Sequence, residues 1–239
     1  MKKIIISILL LCSVSVQAKK IYATFDILPL RSANLAFSIS GIVDSIESDV
    51  SIKVKKGDMI ATLNHADLKA KLMIATIAMK HAKSDYDRQR SIESVVQKSK
   101  LDLYKFQYDN AVAQISYIQS LIDKSVLKAP FDGIIASKSI EIGDMVNAMS
   151  SKPAFVLQSE HRRKLLVQFD QKYWMSVATG NAFEYHIDGD KRLHSGVITK
   201  IYPKSDIGSR KMFAEVYAND LIVGLFGTGY ITIQDEESK

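Results

Sequence analysis

A long stretch of the chain lacks both of the residues that most readily end a helix. Between Asp58 and Ala129, 72 consecutive residues include no glycine and no proline. Because Gly and Pro are the least favourable residues in a helix interior, their absence over this length favours long helices. Alternating β-branched residues and Gly-Asp pairs flank the stretch, so the sequence predicts helices placed between β-rich segments.

Apolar residues recur inside this stretch at alternating steps of three and four, the a and d pattern of heptads. The two series are Leu68, Leu72, Ala75, Met79, Ala82 and Tyr86, then Leu101, Tyr104, Tyr108, Ala111, Ile115, Ile118 and Ile122. One continuous helix would bury four polar side chains between Arg90 and Lys100. The pattern therefore predicts an antiparallel hairpin with arms of roughly 28 residues, each about 40 Å long. A straight coiled-coil dimer is the alternative, and the break in phase counts against it.

The turn of the hairpin is predicted near residues 92–98. Two β-branched valines lie near its middle, and Ser-x-x-Gln and Ser-x-x-Asp pairs begin at Ser94 and Ser99. Such pairs cap the first turn of a helix, so either one is a candidate start for the second arm.

The segments on either side of the hairpin resemble each other. Each has a Gly-Ile-aliphatic start, and a Gly-Asp pair follows sixteen residues later in the first copy and ten residues later in the second. Each Gly-Asp pair predicts a tight turn in which Gly adopts positive φ and Asp bonds the following backbone. Each copy is predicted to be half of a β-sandwich that closes when the two pair. The turn residues are Gly41, Gly57, Asp58, Gly133, Gly143 and Asp144.

The C-terminal part reads as short strands separated by turns, which is typical of a small β-barrel. The segment from Ile21 is expected to enter this barrel as a strand, and the stretch from Gln171 to be a short helix ended by Gly180. The predicted strands are Phe155–Gln158, Leu165–Asp170, Phe183–Ile187, Gly196–Ile201, Phe213–Ala218 and Tyr230–Ile233. The predicted domains are a barrel (19–34 and 153–235), a sandwich (35–64 and 126–152), a hairpin (65–125) and a tail (236–239).

The first eighteen residues have the layout of a cleaved secretory signal. Lys2 and Lys3 precede an apolar run from Ile4 to Val16, and Ala18 fits a cleavage site. An uncleaved anchor and a lipid-modified Cys12 are the alternatives. The signal predicts that the mature chain is periplasmic. Because Cys12 is the only cysteine, the mature chain is expected to carry no thiol chemistry.

The stretch "APFDGII" at Ala129, the two Gly-Asp turns and the interposed hairpin resemble the split lipoyl (biotinyl-type) domain of the periplasmic adaptor, or membrane fusion (HlyD-like), family of tripartite efflux systems. The run from Ser195 to Ile233 is similar to that family's β-barrel. The resemblance implies a mainly β fold: a barrel-sandwich hybrid with an inserted antiparallel coiled-coil hairpin, plus a small barrel. No lysine lies in a carrier context, so no cofactor is expected.

The resemblance also implies a non-catalytic role. An adaptor of this family would couple an inner-membrane transporter, here expected to be of the resistance-nodulation-division (RND) type, to an outer-membrane channel, and would form a ring, hexameric in the family. Arg88, Ile92 and Ser99 match the family's channel-contacting Arg, Leu and Ser, with Ile in place of Leu. A solvated charge, a tip staple and an N-cap are their purely structural alternatives.

Other functions find less support in the sequence. The formal charge of +6, or +4 without Lys2 and Lys3, is too small for a nucleic-acid partner. The five histidines show neither i, i+4 spacing nor acidic companions, so no metal site is predicted, and no catalytic motif is present. The alternatives are an exported small-ligand-binding module, an adaptor of an ABC-type exporter, and a carrier-type enzyme subunit.

Overall fold

The computed structural model describes residues 18–92, 94, 97–149 and 152–234. Two compact units make up the chain: the segment ending at Leu30 together with residues from His161 onward, and the segment Arg31–Glu160. Within the described residues, every helix is too short or too polar to cross a membrane.

The chain is mainly β with two long helices, as predicted. In chain order the elements are β1 (Ala18–Pro29), β2 (Ser32–Leu35), β3 (Gly41–Ile46), β4 (Lys53–Val54), β5 (Met59–Leu63), α1 (Ala66–Ser91), α2 (Lys98–Lys124), β6 (Val126–Lys128), β7 (Gly133–Lys138), β8 (Met145–Val146), β9 (Phe155–Gln158), β10 (Arg162–Asp170), β11 (Ala182–Ile187), β12 (His194–Asp206), β13 (Lys211–Asn219) and β14 (Phe226–Gln234). A single-turn 3-10 helix (Gln171–Tyr173) follows β10.

The first unit is a closed six-stranded barrel in the order β1-β10-β13-β12-β11-β14. Alternate residues of each strand point inward, as the two-residue period of a strand requires. In β1, for example, Ile21 and Phe25 are buried and Tyr22 is exposed. Phe25 makes edge-to-face contacts with Phe183 and Tyr185 in the core.

The barrel wall contains a nearly buried carboxylate. Glu215 is 5% exposed and accepts hydrogen bonds from Tyr202 Oη at 2.7 Å and Lys164 Nζ at 3.2 Å. Burial raises the pKa of this carboxyl, but the bonds from Tyr202 and Lys164 outweigh it and hold the pKa below its usual value. The network therefore stabilises the folded barrel when Glu215 is ionised.

We expect Glu215→Gln to lower the free energy of unfolding of the barrel by about 1–2 kcal/mol at neutral pH, because it removes charge-assisted hydrogen bonds. Since the folded-state pKa lies below the unfolded-state pKa, this contribution is full above about pH 4.5 and disappears as pH falls through the folded-state pKa. Calorimetric melting of both proteins from pH 7 to pH 3 measures it. A difference that stays constant across this range would contradict the assignment.

The second unit contains a sandwich of two four-stranded sheets, β2-β9-β7-β4 and β6-β5-β3-β8. The strands before the hairpin (β2 to β5) and those after it (β6 to β9) contribute two each to both sheets. The repeated halves therefore share both sheets, with two strands of one half between two strands of the other, rather than each forming one layer. Neither half can close a sheet alone, which explains why the duplication is needed.

The internal repeat has a different register from the one that the Gly-Asp pairs suggest. Ser51 N–H donates to Ile135 O at 2.8 Å, and Gly143 N–H donates to Val43 O at 2.9 Å in the equivalent place. Ser51 and Gly143 both have positive φ, 70° and 92°. Ser51, and not Gly57, is therefore the counterpart of Gly143, and each lies ten residues after the glycine that opens its copy.

The two Gly-Asp pairs form similar but non-equivalent turns. Gly57 has a φ of 93°, and Asp58 and Asp144 each accept a 2.8 Å hydrogen bond from a backbone N–H three residues earlier, those of Lys55 and Glu141. The predicted bond to the following backbone is therefore wrong in direction. Each carboxylate instead accepts from the backbone that precedes it, and so closes its own turn.

Two short strands that the sequence assigned to the barrel lie in the sandwich instead. β2 pairs with β9 in the register Leu35↔Phe155, and β9 also pairs with β7. Phe155 and Leu157 are fully buried in the sandwich core. The boundary between the units therefore falls at 30/31 and 160/161. Of the proposed signal segment only Ala18, which opens β1, is described, and the tail 236–239 lies outside the described residues.

Gly133 and Gly41 open equivalent strands but tolerate a side chain differently. A Cβ on Gly133 would lie 2.3 Å from the carbonyl oxygen of Gln158, whereas one on Gly41 would lie 3.3 Å from a side-chain carbon of Leu63. We expect Gly133→Ala to destabilise the sandwich by about 1–3 kcal/mol, because a backbone atom must move. Gly41→Ala is the matched control and should cost clearly less. Equal losses in calorimetric melting would show that the close approach is unimportant.

Candidate partner-binding site at the hairpin tip

The hairpin grows out of two hydrogen-bonded strands. Thr62 of β5 pairs with Val126 of β6, and Leu63 N–H donates to Ser125 O at 2.8 Å. Ser125 is fully buried, and its hydroxyl donates to Ile122 O at 2.6 Å. Both helices are thereby fixed at one point of the sandwich.

The predicted heptad seams are the buried surfaces of α1 and α2. Each of the thirteen seam residues is buried or half-buried, and Ala75 and Ile118 are the most enclosed. Nearer the tip, the rings of Tyr86 and Tyr108 stack with centroids 6.2 Å apart and planes 4° apart. The antiparallel hairpin is confirmed, and this stack fixes which residues of the two helices are level.

The turn lies where it was predicted, between Ser91 and Lys98. The predicted capping is wrong, however. Gln97 in extended conformation is the N-cap of α2 and makes no side-chain cap bond, while Ser99 is the second residue of the helix. The two valines of the turn lie outside the described residues.

Arg88, Ile92 and Ser99 all lie exposed at the tip end of the hairpin. Arg88 is in the last turn of α1, where its guanidinium is 3.0 Å from Asp85 Oδ1. Ile92 is the C-cap of that helix and shares a face with Arg88, four residues earlier. Ser99 precedes the seam residue Leu101 by two positions, so it lies on the outer side of α2. By helical spacing, Arg88 and Ile92 thus share a face of α1, while Ser99 lies on the outer side of α2.

Cations are concentrated at this end of the hairpin. Arg88 and Arg90 lie in the last turn of α1, where the helix dipole favours positive charge. Lys98 and Lys100 lie in the first turn of α2, which contains no acidic residue and where the dipole disfavours them. A local cost of this kind, without structural gain, is typical of residues retained for binding.

Sequence reasoning missed an apolar face on the hairpin. Near the root, Ile74 and Tyr117 line an open groove between the two helices. Steps of three and four residues lead from this groove along the same side of α1, through polar residues such as His81 and Asp85, to Arg88 and Ile92. The same side of α2 leads through polar residues to the exposed Leu103. The available signal was apolar residues outside the a and d seam. The tip residues therefore belong to a longer surface.

Two histidines have the acidic companions that the sequence analysis did not find. His161 Nδ1 lies 2.8 Å from Asp220, and His194 Nε2 lies 3.2 Å from Asp190. Hydrogen bonds from Arg192 and His194 hold the pKa of Asp190 well below its usual value. In the described part of the chain, these pairs do not extend to groups of three or more His, Cys, Asp or Glu that could hold a metal ion.

We expect Arg88→Ala to change the free energy of unfolding of the hairpin by less than about 0.5 kcal/mol, because exposed ion pairs contribute little. The ion pair with Asp85 is of this kind, since the Arg88 side chain is 69% exposed. Urea unfolding followed by far-ultraviolet circular dichroism measures the change. A loss well above 1 kcal/mol would mean that Arg88 has a structural role.

Residues 31–154 match the model of the CzcB-like, barrel-sandwich hybrid domain family. One curated relative is the cobalt-zinc-cadmium resistance protein CzcB of Cupriavidus metallidurans, 23% identical over 133 residues, which are 48% of this chain and 26% of the relative. An uncharacterized protein of Haemophilus influenzae is 27% identical over 121 residues, 50% of this chain and 32% of its own length. The matched segments thus span about a quarter to a third of these relatives.

Solved structures share the fold. A MacA-MexA chimeric protein that contains the Pseudomonas aeruginosa MexA α-hairpin domain superposes with a TM-score of 0.84 at 17% identity, covering 91% of this chain and 83% of the chimera. The membrane fusion protein Spr0693 of Streptococcus pneumoniae R6 gives 0.73 at 12% identity, covering 88% and 98%. ZneB of Cupriavidus metallidurans gives 0.59 at 16% identity, covering 91% and 98%.

Proposed function

The chain belongs to the CzcB-like barrel-sandwich hybrid family, within the periplasmic adaptors or membrane fusion proteins, and we propose that it couples an inner-membrane transporter to an outer-membrane channel. The proposed role is assembly, without catalysis. One curated relative, from an Alcaligenes strain, is named a cation efflux system protein, and this name supports a function in export.

One observation carries the proposal: a long two-helix arm, fixed at its root by a strand pair, presents exposed cations and an exposed Ile92 at its free end. The seam residues make the apolar contacts that pair the two helices, so the tip side chains are not required to hold the hairpin together. A rigid arm with such an end suits insertion against the helices of a partner. We assign Arg88 and Ile92 to the contact with the channel, and Ser99 to its margin.

The transporter is proposed to be of the RND type, and several copies of the chain are proposed to form a ring, six by resemblance to the family. The apolar face that includes Ile74 and Tyr117 is available for side-by-side packing of hairpins. An ABC-type exporter in place of the RND pump would leave the assignment of the tip unchanged.

Charge reversal at Arg88 tests the proposal, with Arg90→Glu as the matched control. Both arginines are exposed in the last turn of α1, but Arg90 is two positions further on and so faces the other side. Breaking a charge pair at an interface costs about 2–5 kcal/mol, or more than tenfold in affinity. In a strain of the native host that lacks this chain, we expect Arg88→Glu to fail to restore export and Arg90→Glu to restore it.

Export is measured as resistance to Co²⁺, Zn²⁺, Cd²⁺, dyes and antibiotics, together with the periplasmic amount of each variant. Full restoration by Arg88→Glu at normal abundance would refute the tip assignment. A photo-crosslinking amino acid at Ile92 provides the physical counterpart, because it should capture an outer-membrane protein in whole cells. Capture of inner-membrane proteins alone would contradict the proposed orientation.

A further inference from the structure

The outer wall of the barrel carries an open cleft of about 990 Å³, in the other unit from the hairpin tip. Its floor includes Tyr22 of β1 and Gln168 of β10. One side is formed by the 3-10 helix and Trp174, and the other by the turn that joins β12 to β13. The whole cleft lies within one compact unit.

The cleft is rich in cations. Those that line it are Lys172, Lys204, Arg210 and Lys211, of which Lys172 pairs with Asp170 at 3.5 Å. Elsewhere on the barrel, cations such as Lys20 and Lys164 pair with carboxylates. Across the described residues, by contrast, the side chains of Arg210 and Lys211 form neither a hydrogen bond nor an ion pair. Such a surface attracts an anionic ligand.

The acidic groups of this region are already engaged. Asp170 accepts from the backbone N–H of Lys172 at 2.9 Å, and Asp206 accepts from both the N–H and the hydroxyl of Ser209 at 2.8 and 2.6 Å. Asp170 also pairs with Lys172, so the bonds of both carboxylates lie within their own chain segments and leave Arg210 and Lys211 unpaired in the described structure. The same bonds shape the turn, in which Arg210 has the unusual φ of 54°. Strained backbone of this kind persists where surrounding contacts hold it, often at binding sites.

Large apolar side chains are exposed at the cleft and next to it along the chain. Trp174, which lines the cleft, is 62% exposed, the neighbouring Met175 is 79% exposed, and Ile207, the first residue of the β12–β13 turn, is 92% exposed. A free anion would bind the cations without using these outward-pointing groups. Tryptophan, aliphatic and basic side chains together are the composition of surfaces that bind the interface of anionic membranes.

The start of the barrel lies near the cleft. β1 begins at Ala18, where the predicted secretory signal ends. Lys19 Nζ then lies 5.6 Å from the ring centroid of Tyr173, the residue next to Trp174. Lys19 therefore adds a further cation beside the cleft.

We propose that this cleft and its rim bind the anionic phospholipid surface of a membrane. The cations contact lipid phosphates, while Trp174, Met175 and Ile207 enter the interfacial layer. This contact goes beyond the coupling role and does not depend on the hairpin tip.

Trp174 is the only tryptophan of the chain, so its fluorescence reports on the cleft alone. The full chain is mixed with vesicles of phosphatidylglycerol and phosphatidylcholine, or of phosphatidylcholine only. We expect the emission to shift to shorter wavelength, and to be quenched by brominated acyl chains, with the anionic vesicles and not with the neutral ones. The shift should weaken as salt is added.

The variant Lys204→Gln with Lys211→Gln removes two cations of the cleft without touching the strained residue. Each basic residue near an anionic surface contributes about fivefold to binding, so the double variant should bind about 25-fold more weakly. Lys69→Gln with Lys80→Gln on α1 makes the same change in charge away from the barrel and should bind like the unmodified chain. Thermal melting establishes that both variants are folded.

Three results would overturn the proposal: an unchanged Trp174 spectrum with anionic vesicles, equal losses in the two double variants, or a shift caused by soluble polyglutamate but not by vesicles. The last would identify an acidic protein as the ligand. Arg88→Glu should bind vesicles normally. The vesicle assay therefore tests this proposal alone, and the export assay tests the proposed function alone.

Discussion

The structure of the second unit depends on the hydrogen bonds between β5 and β6. Because Leu63 and Ser125 meet there, everything between them must leave the sandwich and return to the same point. Two helices of 26 and 27 residues achieve this, since their apolar seams face each other when the chain doubles back. The root strands β5 and β6 are neighbours in one sheet of the sandwich, to which both halves of the repeat contribute strands. The hairpin is therefore held by the core of the sandwich as well as by its own seam.

This arrangement separates stability from binding. The seam residues and the Tyr86–Tyr108 stack hold the two helices together, so the tip is free to carry side chains that a helix alone would disfavour. Lys98 and Lys100 oppose the dipole of α2 at the start of that helix. Similarly, the barrel closes around an apolar core and pairs many of its cations, while Arg210 and Lys211 have no such pairing in the described structure. In both units, residues that are locally unfavourable lie on the surfaces proposed for binding: cations against a helix dipole in the hairpin, and unpaired cations in the barrel.

Sequence reasoning succeeded where a period or a phase carried the information. The seams, the turn and the barrel strands follow from spacing alone. The register of the repeat did not, because Ser51 adopts the positive φ of Gly143 without sharing its residue type, and Gly57 offered a misleading match. Likewise, alternation in Phe155–Gln158 predicts a strand but not which sheet it joins. The apolar face near Ile74 could not be predicted, because which sides of α1 and α2 stay exposed to solvent depends on how the two helices pack.

The most direct test of the account is a distance across the hairpin. In a Cys12→Ser background, spin labels are attached at Ser84→Cys and Asn110→Cys, each two residues from the stacked tyrosines and both exposed. Packed helices lie about 8–10 Å apart, so the account predicts a separation below about 25 Å including the labels. A single continuous helix would place the labels about 39 Å apart. A distance near that value, measured by double electron–electron resonance, would contradict the doubled-back arm and the functions assigned to its tip.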